Sequence, residues 1–353
     1  MENQTYEILS KIQNPADVRA LPKDQMEPLC AELRRFLIEK VTKNGGHLAS
    51  NLGVVELSVA IHRVFNLPHD RVIFDVGHQC YVHKILSGRR EAFDTLRKPG
   101  GLSGFEKMSE SEYDAFGTGH ASTSVSAALG YAKADKILGR DNYTLVVLGD
   151  GAFTGGLVHE ALNNCDPDLR LIIVLNENEM SISKNIGTFA HHIAHIRSSK
   201  RYINLKKRTT RFIRAIPLVG NTMFSALRDT KKMFKNSLFG SSYFEELGLF
   251  YLGPADGNDF DTVEYLLNEA KNKGESVILH LKTKKGMGYP PAEENPSRYH
   301  LVGGNYQDNF SQHFGRTLVR MAQGDDRICA VTAAMESGVG LSDFCLLYTS
   351  DAA

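Results

Sequence analysis

Short apolar runs alternate with helix-like segments through most of this 353-residue chain. The apolar runs are 71–76, 144–148, 171–175, 248–252 and 276–281, and the helix-like segments are 122–138, 155–164 and 259–272. Mainly apolar runs of this length are typical of strands that are buried on both faces of a sheet, and their alternation with helices is typical of parallel pairing. The pattern therefore predicts an α/β fold with a doubly wound parallel sheet.

Two helices precede the first predicted strand. Asp24, with Glu27 three residues later, predicts a capping box at the start of a helix over 25–42. Apolar residues recur in this segment at helical spacing until a pair of glycines ends it, and a second helical stretch follows over 54–65.

The pattern changes towards the end of the sequence. We expect a main domain over 1–300, a linker over 301–310, and the incomplete start of a second α/β domain over 311–344, with a helix and then the strand 327–334 (RICAVTAA). The residues 345–353 show no periodicity, and we interpret them as a non-native tail.

Charge is balanced over the whole sequence but not along it. Lysine plus arginine and aspartate plus glutamate each total 41, so the overall balance indicates no preference for nucleic acid or an anionic membrane. The segment 196–236 carries twelve basic residues against the single acid Asp229. Interleaved apolar residues favour an insertion of surface helices with basic outer faces, and a nucleic-acid-binding arm is the alternative.

Cysteine use and hydropathy bear on location. The five cysteines are scattered without a CxxC pair, which indicates neither a zinc site nor a disulfide framework. The first residues form no apolar signal core, and no run of about 18 apolar residues occurs. These features predict a cytoplasmic protein without a membrane partner.

Polar residues follow two neighbouring strands of the predicted sheet. Asp150, between two glycines, comes directly after the run 144–148, and Asn178 follows the run 171–175. Ligands bind where the carboxyl ends of parallel strands meet, and carboxylate and amide oxygens suit Mg²⁺. A helix that begins near Gly155 offers free N–H groups to a diphosphate. We therefore expect a magnesium and diphosphate site, with simple turn chemistry as the alternative for Gly-Asp-Gly.

Four histidines lie in or near glycine-rich stretches. They are His47 after a glycine pair, His78 after the first predicted strand, His120 at the start of a helix, and His300 after TKKGMGYPP. Imidazoles can hydrogen-bond phosphate oxygens and move protons near neutral pH. One such residue is more typical of a structural role, but the set favours a cofactor-dependent lyase or transferase over a hydrolase.

Eight motifs spread over residues 20–300 resemble those of one enzyme family. They are GGHLASNLGVVEL, FDVGHQCYVHKILSGRR, GGLSGFEKMSESEYD, GTGHASTSVSAALG, LGDGAFTGG, LNENEMSIS, FEELGLFYLGPADGND and TKKGMGYPPAE. In content and order they are similar to those of 1-deoxy-D-xylulose-5-phosphate synthases, which are transketolase-like enzymes. Transketolases share the Gly-Asp-Gly motif, but ENEMSIS and DVGHQCYVHKIL are typical of the synthase.

The resemblance implies thiamine diphosphate and Mg²⁺ as cofactors, and it implies roles for particular residues. His47 and His300 would lie over the reactive carbon and serve substrate binding and proton transfer. The metal ligands would be Asp150, Asn178 and a backbone carbonyl at or near Met180. The residues that would contact the cofactor are His78, Gly119, His120, Ala121, Gly151, Ala152, Asn178 and Tyr289.

By the same resemblance, the enzyme would be a transferase that condenses pyruvate with glyceraldehyde 3-phosphate and releases CO₂. This is the first step of the non-mevalonate isoprenoid pathway, and its product also feeds thiamine biosynthesis. The resemblance also implies that the full-length enzyme is a homodimer. The family takes the glutamate that acts on the cofactor's aminopyrimidine from a second domain, and Glu336 lacks the sequence context of that glutamate. We therefore expect this chain to be inactive alone.

Two other interpretations stay open. The chain could be the diphosphate-binding subunit of a split transketolase-like enzyme whose partner supplies the glutamate. It could also be a non-catalytic binding protein that uses the basic segment 196–236. The second is disfavoured because every motif position that the metal and the diphosphate require is present.

Overall fold

The computed structural model describes residues 6–178, 243–303, 310–332, 336 and 338–348. The strands are Arg71–Phe74 (β1), Thr144–Gly149 (β2), Leu171–Glu177 (β3), Phe250–Asp256 (β4) and Val277–Lys282 (β5). The α-helices are Pro15–Ala20 (α1), Met26–Asn44 (α2), Ala49–Leu52 (α3), Val55–Val64 (α4), Tyr81–Lys84 (α5), Ser124–Ile137 (α6), Asp150–Phe153 (α7), Gly156–Asn163 (α8), Tyr243–Glu246 (α9), Phe260–Lys273 (α10), Pro290–Glu294 (α11), Phe310–Ala322 (α12) and Ser342–Tyr348 (α13). The basic segment 196–236, Met180 and residues 304–309 of the predicted linker lie outside the described residues.

The strands form one sheet in the order β1-β2-β3-β5-β4, and every neighbouring pair is parallel. Each predicted apolar run coincides with or overlaps one of these strands, which confirms the α/β fold with a parallel sheet. β3 has neighbours on both sides, and all seven of its residues are buried. Because the strands share one direction, the loops that follow them leave the sheet at the same edge.

Helices cover both faces of the sheet. On one face, Val72, Val147 and Val174 join a core that includes α2, α4 and α10. On the other face, Ile73 and Val146 pack with α6 and α8. Alternate strand residues belong to opposite cores because side chains along a strand point to opposite faces. The doubly wound arrangement is confirmed.

The predicted helices after residue 50 agree with the structure within a few residues. The segments 54–65, 122–138, 155–164 and 259–272 correspond to α4, α6, α8 and α10. Among the described residues, none of the helices is both long and apolar enough to cross a membrane.

The capping box predicted at Asp24 and Glu27 is wrong. Lys23–Gln25 forms a 3₁₀ turn that leads directly into α2, so Asp24 lies inside a helical turn instead of preceding one. The residue before α2 makes no side-chain capping bond. A capping box is present instead at the start of α1, between Asn14 and Asp17.

The region after residue 309 agrees only in part with its prediction. The predicted helix is present as α12. Residues 327–332 of the predicted strand RICAVTAA are not in a strand, and Val331 is 97% exposed, so that prediction is wrong over this part. A strand needs a partner for its N–H and C=O groups, and none of the described strands pairs with these residues. Residues 345–348 of the expected tail belong to α13, whose Phe344 packs in a small cluster with α12.

Candidate functional site

The predicted site residues lie at the carboxyl edge of the sheet. His78 follows β1, Asp150 follows β2, and Asn178 follows β3. Gly149 pairs in register with Asn176, so the loops after β2 and β3 begin side by side. This is the edge at which doubly wound sheets bind ligands.

Asp150 opens α7 and is partly buried. Burial raises the pKa of its carboxyl, the negative charge of Glu177 raises it further, and the positive charge of Lys285 opposes the rise. The backbone N–H of Gly151 donates to Oδ1 of Asp150 at 3.0 Å. Two acidic groups near each other favour a cation between them, and the carboxylate of Asp150 with the amide oxygen of Asn178 gives oxygen donors that suit Mg²⁺.

No group of three or more His, Cys, Asp or Glu side chains within the described ranges could hold a metal ion. The predicted donor set differs from such a cluster, because it combines one carboxylate with amide and carbonyl oxygens. The carbonyl at or near Met180 lies outside the described residues, so this ligand stays a prediction.

A buried chain of hydrogen bonds supports the end of β3. The hydroxyl of Tyr251 lies 2.7 Å from Nδ1 of His280, and Nε2 of His280 lies 2.9 Å from Oε2 of Glu177. These residues stand on β4, β5 and β3, so the bonds join three neighbouring strands. Next to Glu177, Oδ1 of Asn176 accepts a hydrogen bond from the hydroxyl of Thr283 at 2.7 Å. The strand end that carries Asn178 is therefore joined to the end of β5 by two side-chain hydrogen bonds.

Three of the four predicted histidines meet at one place. The ring centroids of His47, His78 and His300 lie 5.3 Å from one another. An antiparallel bridge brings the distant His300 to the others: the N–H of Gly46 donates to the carbonyl of Val302 at 2.7 Å, and the reverse bond is 2.8 Å. The predicted catalytic pair, His47 and His300, is thus side by side.

These imidazoles are neutral at physiological pH. Burial, with smaller effects of His300 and Lys285, lowers the pKa of His47 to about 3. Burial and the charge of Lys285 lower the pKa of His300 to about 4, and burial holds the pKa of His78 well below its usual range. A neutral imidazole can accept a proton at one nitrogen while it donates from the other.

Two of the three rings have a buried nitrogen that is available to bond to a ligand. Nδ1 of His47 and Nδ1 of His78 have no hydrogen-bond partner among the described residues. Buried polar atoms are nearly always hydrogen-bonded in folded proteins. The two nitrogens therefore fit a site that is completed by a polar ligand.

The predicted cofactor loop Gly119–Ala121 is exposed. Among the described residues, no atom lies within 4 Å of the place that a Cβ atom at Gly119 would take. The loop is joined to α7, because the hydroxyl of Ser122 donates to the carbonyl of Ala152 at 2.6 Å. His120 lies on this loop, and the three clustered imidazoles lie on other segments of the chain. The carbonyl of His120 accepts a hydrogen bond from the side chain of Thr123 at 3.1 Å.

Tyr289 lies at the start of α11. Its ring packs edge-on against Tyr299, with centroids 5.6 Å apart. The carbonyl of Tyr299 accepts a hydrogen bond from the N–H of Ala49 at 2.9 Å, which connects this region to the turn after His47. A contact between Tyr289 and a cofactor stays a prediction.

Asn51 is a site residue that sequence reasoning missed. Its fully buried side chain donates from Nδ2 to the carbonyls of His47 at 2.7 Å and His78 at 2.8 Å. Its Oδ1 accepts from the N–H of Tyr81 at 2.8 Å. One amide therefore joins the two loops that carry imidazoles. The only signal in the sequence was its place in the motif GGHLASN, because no periodicity assigns such a role.

Lys285 is a second missed residue. Its side chain is buried, and its positive charge lowers the pKa values of His47, His78 and His300. Burial lowers the pKa of the ammonium, while the charge of Asp150 opposes that change. Lys285 therefore adds a positive charge that acts on both Asp150 and the three imidazoles.

Comparison with known proteins decides the family. The family model described as 1-deoxy-D-xylulose-5-phosphate synthase matches residues 9–283. The chain belongs to the 1-deoxy-D-xylulose-5-phosphate synthase family. A synthase of this name from Desulforudis audaxviator is 47% identical over 348 residues, covering 96% of this chain and 55% of the relative. The one from Clostridium acetobutylicum is 44% identical over 351 residues, covering 96% and 56%.

The chain spans about half the length of these synthases, which belong to a transketolase-type transferase family. Solved transketolases share the fold. The enzyme from Leishmania mexicana matches with a TM-score of 0.57 at 18% identity, over 91% of this chain and 45% of that one. The enzyme from Campylobacter jejuni matches with a TM-score of 0.57 at 19% identity, over 92% and 47%. The resemblance read from the motifs is thus confirmed at the level of the family and of the fold.

Proposed function

We propose that this chain holds the thiamine diphosphate and Mg²⁺ of a 1-deoxy-D-xylulose-5-phosphate synthase. The enzyme would condense pyruvate with glyceraldehyde 3-phosphate, with loss of CO₂. Family membership supports the cofactor and the reaction. The observation that carries the proposal is the meeting of His47, His78 and His300 at the sheet edge that bears Asp150. Two of these rings have a buried nitrogen with no partner in the part of the chain that the structure describes.

The residues of the site fit the two parts of such a cofactor. Asp150 and Asn178 would hold Mg²⁺ together with the carbonyl at or near Met180, and the metal would carry the diphosphate. The backbone of Gly119–Ala121 and the first turn of α7, with Gly151 and Ala152, would surround the diphosphate. His78 and Tyr289 would contact the same cofactor.

The bound cofactor would supply a nucleophilic carbon and, in its cationic ring, an electron sink for the decarboxylation. The residues of this chain orient the reactants and handle protons. His47 and His300 are neutral, so a ring nitrogen of either can accept a hydrogen bond from a substrate hydroxyl and orient it. Lys285 adds a positive charge on the same side, which favours the carboxylate and phosphate groups of the substrates.

We further propose that turnover needs a glutamate of the second domain, so that the 353-residue chain binds the cofactor but does not turn over alone. A homodimer in the full-length enzyme and a cytoplasmic location are part of the same proposal. The domain boundaries given above, 1–300, 301–310 and 311–344 followed by the tail 345–353, are proposed in the same way.

A chimera tests the catalytic competence of this site. Residues 9–303 of this chain, which include Lys285, Tyr289 and His300, would replace the matching part of the Desulforudis audaxviator synthase. CO₂ and deoxyxylulose phosphate would be measured by mass spectrometry. We expect turnover by the chimera, and none when it carries Asp150→Ala. Asp141→Ala is the matched control, because Asp141 is exposed and lies nine residues earlier.

A folded chimera that forms no product would contradict the proposed reaction. The 353-residue chain is assayed in parallel. Turnover by this chain alone would contradict the requirement for a second-domain glutamate.

A further inference from the structure

Asp75 lies directly after β1 and is 1% exposed. Its backbone N–H donates to the carbonyl of Val147 on β2 at 2.9 Å, so the residue is fixed to the sheet. Its carboxylate points to a different segment, the one that follows the loop Gly119–Ala121. A carboxylate that is buried in this way is expected to accept hydrogen bonds from its surroundings.

The carboxylate of Asp75 accepts three hydrogen bonds. Oδ1 accepts from the N–H of Ser122 at 2.9 Å, and Oδ2 accepts from the N–H and the hydroxyl of Ser124 at 3.2 and 2.6 Å. Ser122 has a φ of 72°, a left-handed conformation that is uncommon for residues other than glycine. The bonds to Asp75 hold the chain in this turn directly after Ala121.

The same turn contacts the loop after β2. The hydroxyl of Ser122 donates to the carbonyl of Ala152 at 2.6 Å. The fit leaves no room for a further side chain, because a Cβ atom at Gly155 would come within 2.1 Å of that hydroxyl. Asp75 therefore fixes Gly119–Ala121 in position, and the bond from Ser122 fixes α7 relative to this loop.

The backbone after Asp75 leads to His78. Val76 and Gly77 have φ values of 61° and 85°, so two successive residues are left-handed. A Cβ atom at Gly77 would come within 1.9 Å of the hydroxyl of Thr118, just before the cofactor loop. One aspartate thus stands where the His78 turn, the Gly119–Ala121 loop and the Asp150 loop come together.

We propose that Asp75 is a positioning residue that holds these three loops in the shape that binds the diphosphate group. The inference rests on the proposed function, since it assumes a diphosphate ligand. Among the described residues, the carboxylate of Asp75 bonds to Ser122 and Ser124, so Asp75 acts on the ligand through the loop that these serines fix. Its role is to keep the loop backbone aimed at the anion.

The decisive variant is Asp75→Asn, because it preserves the shape of the side chain. The new NH₂ group would face the N–H of Ser122 or of Ser124, and two donors cannot bond to each other. A buried donor without a partner destabilises the fold. If the loop shifts instead, the Kd for thiamine diphosphate with Mg²⁺ rises by about 10-fold to 100-fold.

Asp70→Asn is the matched control. Asp70 is 4% exposed, precedes β1 at its other end, and accepts bonds from the N–H groups of Asn66 and Tyr143, both at 2.8 Å. Both substitutions should lower the thermal unfolding temperature, because both aspartates are structural. Only Asp75→Asn should also weaken the binding of thiamine diphosphate. Ser124→Ala, which removes one of the three bonds, should raise the Kd by about threefold to tenfold and decides the question if Asp75→Asn does not fold.

Calorimetric titrations of the 353-residue chain with thiamine diphosphate and with inorganic diphosphate, each with Mg²⁺, give the result. The proposal requires that Asp75→Asn or Ser124→Ala weaken both ligands by a similar factor, since the diphosphate is the part they share. Equal Kd values in wild type, Ser124→Ala and a folded Asp75→Asn would overturn it. A wild-type chain that binds neither ligand would refute the proposed function, and the role of Asp75 with it.

Discussion

The hydroxyl of Ser50 lies 3.3 Å from Nδ1 of His300, although 250 residues separate the two along the chain. The bond occupies one ring nitrogen of His300 and leaves the other for the site. Ser50 follows the His47 turn, so the contact adds to the Gly46 and Val302 bridge that brings the two predicted catalytic histidines together.

We expect Ser50→Ala to lower the free energy of unfolding by about 1 kcal/mol, because Nδ1 of His300 loses its hydroxyl partner. Urea denaturation measures this change. Ser58→Ala is the matched control: Ser58 is fully buried, but its hydroxyl has no hydrogen-bond partner among the described residues. Equal losses in the two variants would show that the Ser50 bond does not stabilise the fold.

The charge of Lys285 should be visible in the titration of its neighbours. We expect Lys285→Met to raise the pKa values of His47 and His300, since the ammonium lowers both. Two-dimensional NMR of the imidazole protons measures each titration. Lys284→Met is the control, because Lys284 is exposed and pairs with Glu293. Unchanged histidine titrations in Lys285→Met would place the lysine away from the site.

Stability should depend on pH through His300. Its pKa is 6.5 in an unfolded chain and about 4 in the folded protein. Between these values only the unfolded state binds the proton, so His300 lowers stability as the pH falls from 6.5 towards 4, by at most about 1.4 kcal/mol per pH unit. We expect His300→Gln to lose less stability than wild type between pH 7 and pH 5, measured by urea denaturation. A loss as large as that of wild type would contradict the lowered pKa.

The chain of hydrogen bonds that supports the end of β3 should contribute to stability, because it ends on a buried carboxylate. His280→Phe removes the nitrogen that lies 2.9 Å from Oε2 of Glu177, and we expect the free energy of unfolding to fall by about 2–3 kcal/mol. Tyr251→Phe should cost about 1 kcal/mol, because it removes a single hydroxyl bond to His280. Tyr265→Phe is the control, since Tyr265 is 60% exposed. Thermal and urea unfolding that left His280→Phe as stable as this control would exclude the inferred support of the Asn178 loop.

The sequence was most informative where its local pattern determines the structure. Asp150 and Asn178 could be placed at one edge because buried strands precede both, and parallel strands end together. His300 could be singled out by its place after TKKGMGYPP, but its position beside His47 was expected only through the family resemblance. The approach of the two residues depends on the bridge between Gly46 and Val302. No local pattern encodes a contact over that distance in sequence.

The missed and mistaken features have the same physical origin. Asn51, Lys285 and Asp75 act through buried tertiary contacts, which composition and periodicity do not reveal. The capping box at Asp24 failed because a 3₁₀ turn continues into α2. The strand RICAVTAA failed over residues 327–332 because strand formation depends on a partner as well as on an apolar run.

The most direct test of the account is cofactor binding by the 353-residue chain itself. Isothermal titration with thiamine diphosphate would be run with Mg²⁺ and with EDTA, for wild type, Asp150→Ala and the control Asp141→Ala. The account predicts saturable binding that requires Mg²⁺, is retained in Asp141→Ala and is lost in Asp150→Ala. Binding that is equally tight in Asp150→Ala, or no binding by the wild-type chain, would contradict it.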